Sequence, residues 1–98
     1  MGLFDSVSCR YPFPDGFQPR SGFQTYDLGC ECRSFEITER GDLMQVPMYG
    51  ERPTKVLITG DVDLFYCGPG DLIEYRATFA NGTLRGLRRL PPRPQDAE

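Results

Sequence analysis

The chain contains no histidine and no tryptophan. Without histidine the side chain that most often serves as a general base near neutral pH is missing. A tetrahedral zinc site would have to be built from thiolates, with no imidazole ligand. No apolar run is long enough to cross a membrane or to form the core of a secretory signal, since Asp5, Arg10 and Asp15 interrupt the first twenty residues. No window of useful length has a helical period free of Gly or Pro. Ser6, Ser8, Ser21 and Ser34 lack an elbow motif, and Gly68-Pro69-Gly70 opens a strand where a phosphate loop would open a helix. These absences predict a protein that is not an enzyme, needs no cofactor, spans no membrane and stays in the cytoplasm, or in the host cytoplasm if a phage encodes it.

What is present fits one small β domain. The 98 residues are 39% hydrophobic, with seven Phe and five Tyr to fill a core and eleven Gly and nine Pro to make turns. The formal charge of −3 disfavours nucleic acid as a partner. That charge is uneven: residues 1–50 carry four basic and seven acidic side chains, whereas Arg76–Arg93 holds five arginines and no acid. The expected fold is all-β, with six to seven antiparallel strands in a sandwich or partly open barrel over residues 1–90. A proline-rich, flexible tail follows at 91–98.

The clearest stretch is a meander over 54–90. Asn81-Gly82 favours a two-residue turn with positive φ, which pairs Ala80 with Thr83 and Phe79 with Leu84. A four-residue loop at Gly68–Asp71 pairs Cys67 with Leu72, Leu64 with Tyr75 and Val62 with Ala77. Val62, Leu64, Tyr66, Ile73, Tyr75, Ala77 and Phe79 then face inward, and Asp63 falls opposite Arg76 on the other face. Continued without a break, the last hairpin would turn Arg88 into the core. A bulge at Gly86 that brings Leu87 inward repairs it.

Upstream, Met1-Gly2 through Ser6 matches a myristoylation acceptor, with Cys9 as a second acylation position. The alternative is that Leu3, Phe4 and Val7 tuck into the core. Tyr11–Gly22 reads as a loop whose Tyr11, Phe13 and Phe17 plug the core edge. Phe23–Leu28 and Cys30–Glu39 read as strands. A bend at Glu39–Asp42 returns the chain through Leu43–Met48, with Met44, Val46 and Met48 on one face.

Cys9, Cys30, Cys32 and Cys67 are the candidate metal ligands. A Cys-x-Cys pair on a strand shares a face, but the spacing is not that of a zinc knuckle, so reduced thiols, zinc and disulfides all stay open. Asp61, Asp63, Asp71 and Glu74 are carboxylates paired in sequence, but the register places Asp61 and Asp63 beside arginines on an exposed face, as a salt-bridged surface ladder. Arg88-Arg89-Leu90-Pro91-Pro92-Arg93-Pro94 fits R-x-L-P-P-x-P, the basic polyproline pattern bound by SH3 domains. The candidate partner-binding residues are therefore Arg76, Arg85, Arg88, Arg89, Arg93, Pro91 and Pro94.

Three segments together resemble a known group. Met1-Gly2-Leu3-Phe4-Asp5, Cys9-Arg10-Tyr11-Pro12-Phe13-Pro14-Asp15 and Phe23-Gln24-Thr25-Tyr26-Asp27-Leu28-Gly29-Cys30 are similar to M-G-M-F-D, C-x-Y-P-L-P-D and F-Q-T-K-D-L-x-C. These mark small, uncharacterised phage, prophage and bacterial proteins. Gly60–Tyr66 and Glu74–Phe79 look similar as well. Tyr26 stands where the group has Lys. Relatives with C-P-x-C-G imply a metal site in some members, but this chain has only Cys9 there. The resemblance implies an intracellular accessory protein of mobile elements. The missing histidine and catalytic motifs, the small size and the exposed charge predict that it acts by binding another protein, one version being an inhibitor of a host defence or nucleic-acid enzyme. The alternatives are a cysteine–zinc domain and an SH3-binding adaptor.

Overall fold

A computed structural model describes residues 4–19, 22–47, 49–68 and 71–91, apart from the side chains at 67, 68 and 71. Among these residues there are eight strands and no helix: β1 (Asp5–Cys9), β2 (Phe23–Thr25), β3 (Ser34–Ile37), β4 (Leu43–Val46), β5 (Thr54–Lys55), β6 (Gly60–Gly68), β7 (Asp71–Ala80) and β8 (Thr83–Arg89). They form one open, mixed sheet in the order β5-β4-β3-β1-β2-β6-β7-β8. Every pairing is antiparallel except β1 with β3, a parallel pair that the meander-like reading did not anticipate.

The β6–β7 register is the expected one from Asp61 to Cys67, including Val62 with Ala77, Leu64 with Tyr75 and Asp63 with Arg76, and the ladder runs one pair further, Gly68 with Asp71, into the expected four-residue loop. In β7–β8, Phe79 pairs with Leu84 but Thr78 pairs with Gly86, so Arg85 is the extra residue of a bulge. Leu87 then lies opposite Ala77 and packs on the core, while Arg88 stays exposed. The bulge thus puts Leu87 instead of Gly86 against Ala77 and turns Arg88 to the outer face, while Arg89, exposed at the end of the strand, takes the place opposite Tyr75.

Three other strands depart from expectation. β2 ends at Thr25, not Leu28, and β3 begins at Ser34, not Cys30. In β4 it is Leu43 that is buried, opposite Ile37, while Met44 and Val46 are half-exposed. Met48 lies outside the described residues. At the N-terminus Val7 is buried as expected, but Phe4 is 36% exposed because Asp5 takes the inward position; Gly2 and Leu3 lie outside the described residues.

The sheet curls until the β7–β8 turn meets β4. Leu43 N–H donates to the Gly82 carbonyl at 2.9 Å, Gly82 N–H to the Ile58 carbonyl at 2.8 Å, and Leu84 N–H to the Gly41 carbonyl at 2.7 Å. Lys55 Nζ adds contacts to Asp42 at 3.2 Å and to Thr83 Oγ1 at 3.1 Å. Asn81 and Gly82 have φ of 52° and 82°, as a hairpin turn with two left-handed residues requires. The turn is thus a latch as well as a reversal.

The inner face is filled by Val7, Phe23, Phe35, Ile37, Leu43, Leu64, Tyr75 and Phe79, each at most 4% exposed. The loop after β1 closes one end of it, as the prolines and aromatics of that loop predict. Phe13 stacks on Phe23 at 5.6 Å and sits 4.7 Å from the Tyr75 ring; Phe17 meets Tyr66 at 5.1 Å. Offset and edge-on contacts of this kind add to simple burial.

Candidate interaction face

The strand period of two sends alternate residues of β6 and β7 to the outer face of the sheet. Asp61, Asp63 and Phe65 of β6 stand there beside Leu72, Glu74, Arg76 and Thr78 of β7. Arg76 grips Asp63 with two nitrogens, Nε to Oδ1 at 2.8 Å and a second guanidinium nitrogen to Oδ2 at 3.2 Å. Those hydrogen bonds, with the Asp63 charge, raise the Arg76 pKa still further. Thr78 Oγ1 donates to Asp61 at 2.7 Å. Arg88 of β8 lies directly across from Arg76 and completes the row Asp63–Arg76–Arg88.

Next to this charged row lies an apolar strip. The Tyr26 ring rests against Phe65, centroids 5.8 Å apart, and Tyr26 remains 50% exposed. Leu72, two residues from Glu74 on the same face, is 57% exposed. Neither Tyr26 nor Leu72 was among the expected binding residues. The signal for Leu72 was in the chain, since it is the apolar member of an otherwise polar face, Leu72/Glu74/Arg76/Thr78.

The arginines singled out by charge do not form one cluster. Arg76 is paired with Asp63. Arg85 is exposed on the bulge and Arg88 is exposed on the outer face. Arg89 lies opposite Tyr75, and a guanidinium nitrogen of Arg89 is 3.6 Å from an Asp15 oxygen. Pro91 is exposed just beyond the sheet, while Arg93 and Pro94 lie outside the described residues. Arg88 and Arg89, the basic half of the polyproline pattern, are strand residues, and Leu90 N–H donates to the Glu74 carbonyl at 2.9 Å.

Among the described side chains, Cys9, Cys30 and Cys32 are free thiols. Cys9 is half-buried in β1, and burial pushes its thiol up to about 11 against a hydrogen bond to the Tyr11 carbonyl. Such a thiol behaves as a small apolar group. Cys30 and Cys32 are not on a strand: both have left-handed φ, 54° and 58°, in the loop before β3. Cys67 is a β6 residue whose side chain lies outside the described set. Among the described residues no three His, Cys, Asp or Glu side chains are grouped to hold a metal.

The Cys30–Arg33 loop departs from strand geometry because of Asp5. This carboxylate is fully buried and accepts from Cys30 N–H at 3.0 Å, Glu31 N–H at 3.1 Å and Arg33 N–H at 2.8 Å. The loop forms a nest of amides around an internal anion. Nearby, Thr25 pairs with Asp5, Asp27 N–H donates to Thr25 Oγ1 at 3.3 Å, and Asp27 accepts from Asp63 N–H at 2.8 Å. Asp15 accepts from the Tyr75 hydroxyl at 2.7 and 2.9 Å. The aspartates of all three opening motifs therefore serve as hydrogen-bond acceptors that hold segments of the fold together. In comparisons with protein-family models, curated proteins and solved structures, none matches this chain.

Proposed function

We propose that this chain is a small accessory module that works by binding another protein, and that the outer face of β6 and β7 makes the contact. The observation that carries this reading is the juxtaposition on one face of half-exposed Tyr26, its ring tilted against Phe65, exposed Leu72 and the Asp63–Arg76–Arg88 row. Aromatic side chains and arginine are enriched in protein interfaces, and a few such anchors carry most of the binding free energy. Strands joined by a long, fully registered ladder hold these anchors in place, which lowers the ordering cost of association.

The motif resemblance supports a phage or bacterial accessory protein acting in the cytoplasm, and an inhibitor of a host defence or nucleic-acid enzyme is the version that fits a compact, acidic binder. Affinity capture from a lysate of the native host, followed by mass spectrometry, tests the reading. Wild-type protein should retain a specific partner that the double variant Tyr26→Ser/Leu72→Ser loses while keeping its thermal stability. Equal recovery by both forms, or no specific partner, would overturn it.

A further inference from the structure

A second surface, which shares only Arg88 with that outer face, lies along the free side of β8. β8 ends the sheet. Its first residues are covered by the contacts of Thr83 with Asp42 and of Leu84 with Gly41. Beyond Leu84, among the described residues, no strand pairs with its free side. Leu90 N–H points into the sheet, to Glu74. The alternation of an antiparallel ladder then turns the main-chain groups of Leu87 and Arg89 outward. From Arg85 to Arg89 the open edge is about 17 Å long at the usual rise per residue. The opposite edge, β5, has only two residues and offers no comparable template.

The side chains along this edge define what fits there. Arg85 and Arg88 are exposed, and neither makes an ion pair among the described residues. Arg89 stands at the same edge, near Asp15. On the inner side Leu84 and Leu87 pack on the core yet remain only partly buried. Like charge in such a row opposes pairing of β8 with β8 of a second copy, the usual role of basic residues on an edge. The same row attracts an acidic strand.

We infer that the free side of β8 accepts an extended segment of alternating acidic and apolar residues as a ninth strand. Its main chain pairs with Leu87 and Arg89, its acidic side chains meet Arg85 and Arg88, and its apolar side chains extend the packing of Leu84 and Leu87. Strand addition of this kind draws affinity from the main chain and selectivity from alternate side chains.

A labelled heptapeptide of alternating glutamate and valine is the probe, with a glutamate-to-lysine version and a version N-methylated at alternate residues as controls. Fluorescence anisotropy should show binding of the acidic peptide that weakens as salt rises. It should be roughly tenfold or more weaker for Arg85→Glu/Arg88→Glu. In the complex, amide exchange measured by NMR should slow at Leu87 and Arg89, and both controls should fail to bind. Absence of binding, equal binding of the N-methylated peptide, or unchanged exchange at Leu87 and Arg89 would overturn the inference. Tyr26 and Leu72 play no part in this assay, so its outcome is separate from that of the capture experiment.

Discussion

Asp5 shows how one residue decides the path of a distant segment. Its two oxygens take three N–H groups from the Cys30–Arg33 loop, one on Oδ2 and two on Oδ1. Removing an acceptor strands buried donors, and hydrogen bonds to a charged group contribute more than neutral ones. Asp5→Ala should therefore cost about 1.5–3 kcal/mol in urea unfolding. Asp5→Asn should not restore stability, because an amide NH2 would face donors. A cost within the noise for Asp5→Ala would refute the role given to the nest. At Asp15 the Tyr75 hydroxyl lowers the carboxyl pKa below its ordinary 3.8, opposed by burial and aided by Phe17 N–H and Arg89. A carboxyl with a depressed folded pKa contributes stability above its unfolded value, and that contribution is lost as pH falls through the folded value. Thermal melts should thus show wild-type stability falling more steeply below about pH 4 than that of Tyr75→Phe. Parallel acid profiles would contradict the assignment.

Among the elements, the β7–β8 hairpin carries the largest structural demand. A Cβ on Gly82 would lie 2.3 Å from the Val56 carbonyl oxygen, and φ there is 82°. Gly82→Ala should destabilise by at least about 2 kcal/mol, the left-handed penalty plus displacement of the latch. At Gly86 an added Cβ meets nothing within 4 Å and φ is outside the left-handed region, so Gly86→Ala should stay within about 0.5 kcal/mol. Denaturant titration of both variants separates a latch from a simple reversal. The β6–β7–β8 register was legible because two short turns fix it and both faces agree: Val62 meets Ala77 inside while Asp63 meets Arg76 outside. The first half was less legible for physical reasons. Nothing local marks Cys30 and Cys32 for left-handed φ; a carboxylate 25 residues upstream imposes it. Met44 and Val46 alternate as plausibly as Leu43 and Gln45, and only pairing with Ile37 and Phe35 chooses the face. The parallel β1–β3 pair likewise depends on contacts between distant segments.

For the molecule as a whole, the polar groups that stood out in the sequence are mostly committed to structure. Asp5, Asp15 and Asp27 hold segments together, and Asp63 and Arg76 pair across a ladder. Charge composition alone pointed to the arginines of the last strand and the proline tail, but side-chain alternation on β7 exposes Leu72, and β2 ends so that Tyr26 lies on Phe65. That apolar strip beside a charged row is the surface on which the proposed protein binding rests. The decisive measurement is quantitative capture from the native host lysate with wild-type protein and with Tyr26→Ser/Leu72→Ser, the two matched in thermal stability. A partner enriched on the wild-type protein and lost from the variant is the predicted result. Capture of no specific protein, or equal capture by both forms, would contradict the account.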